Sequence, residues 1–89
     1  MKAIITVLGR DRAGIIAAVS GLLFKHNVNI LDISQTILSG YFSMTMFVDV
    51  SKMEISYAQM QEALTEESAR LCVEIRMQRS EIFDAMHRV

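Results

Sequence analysis

One cysteine among 89 residues, Cys72, has no partner in the chain for a disulfide and cannot build a cysteine metal site alone. That usage fits a reducing compartment, and the cytoplasm is the expected location. Charge of one sign is missing too. Nine Lys and Arg against ten Asp and Glu give a formal net charge of −1, mixed along the chain. No basic patch calls for nucleic acid, and no polybasic run calls for a membrane surface. The apolar stretches fall far short of the ~20 residues of a spanning helix. Met1-Lys2-Ala3 runs straight into an apolar segment, without a signal-peptide core and cleavage site, which argues against export. There is no linker, low-complexity tract or internal repeat, so a single domain over residues 1–89 is expected.

Catalytic groupings are equally scarce. His26 and His87 are far apart, and with Cys72 they do not make a zinc site. His26 suits the end of a helix, where a partly charged imidazole faces the dipole. No Ser/His/Asp or Cys/His arrangement is visible, and capping and solvent exposure account for Asp11 and Asp32. No catalytic residue, metal or cofactor is expected, and the chain does not read as an enzyme.

What is present is apolar residue in excess: 52 % of the chain. A chain this short buries only about 60–65 % of its unfolded surface, so its core is thin. Thin core and apolar excess together predict a homo-oligomer. Ala3–Leu8 reads as a strand ended by Gly9, and residues 12–26 as a helix with Ile15, Ile16, Val19, Leu22, Leu23 and His26 on one face. Val28–Leu38 alternates, with Leu31, Ile33 and Ile37 opposed to Asp32, Ser34 and Thr36. Ser39-Gly40 marks a hairpin. The return strand puts Phe42, Met44, Met46, Val48 and Val50 on the core face. Ser56-Tyr57-Ala58-Gln59 is a capping box opening a second helix, striped by Tyr57, Met60, Ala63 and Leu64 and ending near Ala69. Leu71, Val73, Ile75 and Met77 alternate as a fourth strand, and residues 80–89 suit a short terminal helix. Met44, Met46, Met60 and Met77 read as adaptable core filling. The order predicts an α+β, ferredoxin-like βαββαβ fold: a four-stranded antiparallel sheet with two helices on one face.

The turn between first strand and first helix carries the functional signal. Residues 9–16, Gly-Arg-Asp-Arg-Ala-Gly-Ile-Ile, end at a helix start, where free backbone N–H groups suit a carboxylate or phosphate. A nucleotide P-loop is argued against, because Ile15-Ile16 stand where Lys and Ser or Thr are needed. RNA binding is argued against by Ser39-Gly40-Tyr41-Phe42-Ser43-Met44, which lacks the basic start and the second stacking Phe.

Asp11-Arg12-Ala13-Gly14-Ile15 resembles the Asp-Arg-Pro-Gly-Ile/Val signature of the ACT domain, a small regulatory ligand-binding module. His26-Asn27-Val28-Asn29-Ile30 resembles that family's second signature. The likeness spans essentially the whole chain, and the Glu81-Ile82-Phe83 and Met86-His87-Arg88 tail is similar to that of stand-alone bacterial ACT proteins. More distantly, the first half resembles the glycine-cleavage repressor and the N-terminal domain of formyltetrahydrofolate deformylase. Ala13 replaces the signature proline, so the ring that fixes φ is missing. The resemblance implies an amino acid or similar metabolite held where the turn of one subunit meets the second strand of another. The expected ligand-binding residues are Arg10, Asp11, Arg12, Ala13, Gly14, Ile15 and Asn29. Asp11 has two readings, ligand-ammonium partner or helix N-cap. The expected function is a homo-oligomeric metabolite sensor acting on another protein; the alternative is an interaction module with no small-molecule ligand.

Overall fold

The computed structural model describes residues 1–10 and 13–80. Six elements follow in order: β1 (Lys2–Arg10), α1 (Ile15–Lys25), β2 (Asn29–Leu38), β3 (Tyr41–Asp49), α2 (Tyr57–Leu71) and β4 (Val73–Arg79). The strands form one antiparallel sheet ordered β2-β3-β1-β4, the ferredoxin-like arrangement the element order predicts. Both helices cover one face. Ala3, Ile5 and Val7 of β1 and Phe42, Met44, Met46 and Val48 of β3 point into the core, with Ile15, Val19 and Leu23 of α1 and Met60 and Leu64 of α2 above them. Val73 is buried as expected, but Ile75 is only half-buried, between the buried Val73 and Met77 on edge strand β4. Tyr41 and Thr45 face away from the helices and are exposed, so the register is the one the alternation predicts.

The capping box is present as expected. The Ser56 N–H donates to Gln59 Oε1 at 2.9 Å, and the Gln59 N–H donates to Ser56 Oγ at 3.1 Å. The hairpin turn has φ of 52° at Ser39 and 81° at Gly40. Two consecutive positive φ values suit the right-handed twist of the strands they join.

Several expectations are corrected. Leu71 belongs to the end of α2 rather than to the last strand; Cys72, at φ 57°, turns the chain before β4. In β2 the register shifts between Ile30 and Asp32, so Leu31 is a bulge residue outside the alternation. Ile33 and Ile37 do share the helix side, opposite Met46 and Phe42. The expected terminal helix lies outside the described residues beyond Ser80; α1 and α2 are the helices among the described residues.

Gly9 does not end β1, which runs on to Arg10. Its lack of a side chain serves a close approach instead. A Cβ there would lie 2.7 Å from Val73 Cγ1 and 3.1 Å from Val73 Cα on the neighbouring strand. Gly9→Ala is expected to push β4 from β1 and destabilise the fold by about 1–3 kcal/mol, read by urea unfolding. Val73→Ala in the same chain should recover only part, because the Val73 Cα clash remains. Unchanged stability in Gly9→Ala would show that the strands yield freely.

Candidate functional site

The chain builds the candidate site as two half-sites at opposite ends of one ledge formed by α1 and β2. The first is the turn. Arg10 closes β1 with its guanidinium 5.2 Å from the Tyr41 ring centroid, a cation–π contact that holds the side chain on the open sheet face. Ala13 is exposed, and Asp11 and Arg12 lie outside the described residues. Helix α1 starts three residues later than expected, at Ile15, with Gly14 as N-cap. Gly14 has no side chain to accept from the first turn, and the expected capping role of Asp11 lies outside the described residues.

Gly14 has φ 89°, a left-handed conformation that glycine adopts without strain. A Cβ at Gly14 would meet nothing within 4 Å. Glycine is thus required there by backbone conformation, and open space lies beside it. The Ile15 side chain is buried in the core, so only its backbone is available to a ligand. Beside the turn, a groove of about 330 Å³ runs between α1 and β2, lined by Gly14, Ile16, Ala17, Gln35, Ile37 and Phe42 among others. Among the described residues its lining is uncharged.

The second half-site surrounds Asn29 at the start of β2. A cavity of about 370 Å³ is lined by Phe24, Asn27, Val28, Asn29, Asp49, Ser51 and Lys52. Asn27 Nδ2 donates to the Lys52 carbonyl at 3.0 Å, which fixes the loop after β3 against the end of α1. Asp49 Oδ1 accepts from the Ser51 N–H at 2.9 Å and lies 3.8 Å from the Met1 amino nitrogen. The Ser51 N–H, first among the causes, holds the Asp49 carboxyl below its ordinary pKa. The cavity therefore presents a carboxylate, an ammonium and two amides, a set able to meet both ends of a zwitterion.

Within one chain these half-sites do not meet. Asn29 and Ile37 stand eight residues apart on one strand, roughly 26 Å at the rise of a β-strand. Of the expected residues, Arg10, Ala13, Gly14 and Ile15 lie together at one end and Asn29 at the other. Phe24, Lys52 and Ile37 were not anticipated from sequence. Phe24 carried a signal: it is apolar but out of phase with the buried Ile15, Val19 and Leu23 stripe.

Among the described residues, no group of three His, Cys, Asp or Glu is placed to hold a metal ion, and no helix is long and apolar enough to cross a membrane.

Comparison with known proteins agrees with this architecture. The ACT-domain profile matches residues 2–78. A UPF0237 protein of Listeria innocua is 45 % identical over 89 residues, covering 100 % of both chains. The ACT domain protein from Streptococcus pneumoniae superposes with a TM-score of 0.82 at 41 % identity, covering 98 % of each chain. A formyltetrahydrofolate deformylase from Pseudomonas syringae pv. tomato superposes with a TM-score of 0.82 at 26 % identity, over 90 % of this chain but only 28 % of the deformylase. The likeness to that enzyme is confined to a minor part of it. With matching order, matching fold and a profile spanning most of its length, the chain belongs to the ACT-domain family of small regulatory modules.

Proposed function

We propose that this protein is a cytoplasmic, homo-oligomeric metabolite sensor that binds an amino acid or a similar small carboxylate and passes that state to an effector protein. The observation that carries the reading is the turn at Gly14. Among the described residues it offers a helix start without a side-chain cap, a glycine held at φ 89°, and open space beside it. Free N–H groups at a helix start attract a carboxylate through hydrogen bonds and the helix dipole.

The other half of a zwitterion needs a polar partner, and Asn29 is the expected one. Among the described residues strand β2 is a sheet edge, bonded to β3. Antiparallel pairing of two β2 edges sets the start of one strand against the end of the other. Asn29 of a second copy then approaches the turn near Leu38, and each pair of chains acquires two equivalent sites. Such pairing also covers an otherwise open edge.

An amino acid of about seven to ten heavy atoms, at roughly 1 kcal/mol each, has a ceiling near 7–10 kcal/mol. Ordering of the loop lowers this, so Kd values of about micromolar to millimolar are expected. Thermal unfolding with a panel of amino acids tests the reading. At ten times Kd a true ligand adds about 1.4 kcal/mol, which is several degrees of Tm for a chain this size. If no member of the panel raises Tm at millimolar concentration, the interaction-module reading replaces the sensor. The exposed apolar ledge of Ile16, Phe24, Ile33 and Ile37 is the observation that favours that second reading.

A further inference from the structure

We propose that residues 81–89, which lie outside the described residues, form a cap on the open face of the sheet, laid across Ile4 and Phe47 of their own chain. The face turned away from the helices is not uniform. One row of it crosses all four strands: Gln78 of β4, Ile4 of β1, Phe47 of β3 and Asp32 of β2. Ile4 is only 9 % exposed, although it lies opposite the helices and outside the core cluster. Leu8, on the same strand and the same face, is 44 % exposed. Phe47 is half-buried, again outside the core cluster, while Gln78 and Asp32 at the two ends of the row are exposed. Side chains stand roughly perpendicular to a sheet, so strand neighbours flank Ile4 without lying over it. Burial this deep on an open face calls for a cover.

The chain's own C-terminal segment starts beside this row. Gln78 pairs with Ile4 and Arg79 with Ala3, so the chain leaves the sheet immediately past the row. Ser80 is half-buried and helical. The helix side of this exit is taken by α2: the Arg79 guanidinium lies 5.0 Å from the Tyr57 ring centroid, and Gln61 Nε2 donates to the Met77 carbonyl at 3.3 Å. The open face is left for the residues that follow. Among them Ile82, Phe83, Met86 and Val89 fall on one face of a helix. Ten helical residues from Ser80 span about 15 Å. The row from β4 to β2 covers three strand spacings, about 14 Å. Laid along the row, the helix sets Ile82 and Phe83 over Ile4 and Met86 over Phe47. Its basic pair, His87-Arg88, then arrives at Asp32, the acidic end of the row. A segment tethered beside its site has an effective concentration that a free partner does not reach, which favours it over a second copy as the occupant.

The cap takes Ile4 and Phe47 out of reach of other proteins. It leaves the opposite end of the same face open, where Leu8, Leu38 and Tyr41 line a cavity of about 600 Å³. An effector protein that approaches this face meets that end.

Disulfide trapping in the full chain, in a Cys72→Ser background, tests the placement. Phe47→Cys with Met86→Cys is expected to close a bond within one chain on mild oxidation, read by intact-mass spectrometry as the loss of two hydrogens. Met86→Cys with Glu62→Cys, an exposed position on α2, is expected to stay open. Circular dichroism confirms that the variants fold. In the wild-type chain, nuclear Overhauser effects are expected between the Ile4 methyl groups and the Phe83 ring. Phe83→Asp is expected to speed amide exchange across residues 81–89 at least about 10-fold, with β1 and β3 unchanged. Closure at Glu62 rather than Phe47, absence of the Ile4–Phe83 signals, or unchanged exchange in Phe83→Asp each overturns the cap. Mixed single variants that join as readily as the double variant closes on itself place the segment on a second copy, and overturn it too.

Discussion

Leu23→Ala is expected to destabilise the fold by about 2–5 kcal/mol in urea unfolding. Leu23 is fully buried near the end of α1, among Val19, Val28 and the core face of the sheet. Its carbonyl accepts the N–H groups of His26 at 3.2 Å and Val28 at 2.9 Å, so the same residue fixes the turn that delivers β2. Truncation leaves a cavity that a thin core cannot close, because α1 is tied at its far end by the chain entering Asn29. A chain of this length has a total stability of roughly 4–13 kcal/mol, so the loss is a large fraction of the whole. Ile75→Ala, at a half-buried position on edge strand β4, should cost distinctly less. Equal losses at the two positions would mean that the core is not centred under α1 as described.

The fold was largely legible in the sequence because its strongest signals are periodic. The run from Phe42 to Val50 alternates without interruption, and every residue assigned to its core face is buried. The Ser56–Gln59 box states its own helix start in side-chain chemistry. The errors fall where one residue type serves two physical purposes. Gly9 reads as a strand terminator, yet it continues β1 and makes room for Val73. The helix reads as starting at residue 12, but the left-handed Gly14 sets its start at Ile15, and φ leaves no mark in sequence beyond the glycine itself. Leu31 reads as in phase with Ile33 and Ile37, while a bulge takes it out of register with β3. Bulges depend on the partner strand, which a single-sequence pattern does not contain.

The candidate site was legible in its parts and not in its assembly. The turn and Asn29 were both marked by local chemistry, but they lie at opposite ends of the ledge in one chain. Periodicity describes one chain. It carries no term for a second copy, so it does not mark Phe24 and Ile37, both largely exposed in their own chain, as site residues.

Gly14→Leu is expected to abolish binding of whichever amino acid gives the largest Tm shift, with Kd raised more than about 100-fold, while the fold survives. The side chain would enter the open space beside the turn, where a Cβ meets no atom of the described residues beyond its own chain neighbours within 4 Å. At φ 89° any non-glycine residue also strains the backbone, by about 1–2 kcal/mol. Gly14→Ala supplies the control, since it carries the same strain with much less bulk. Its loss of affinity should be clearly smaller, and the difference between the two measures occlusion alone. Asn29→Ala should weaken binding by about 1–2 kcal/mol, roughly 5- to 30-fold, through lost polar contacts. Asn29 is exposed, so its removal should leave unfolding unchanged. Titration calorimetry on the three variants gives the affinities, and circular dichroism confirms the fold. Equal affinities in wild type, Gly14→Leu and Asn29→Ala would place the ligand elsewhere. Loss in Gly14→Leu with none in Asn29→Ala would keep the turn and remove the β2 start from the site, and with it the reason for the ligand to sit between two copies.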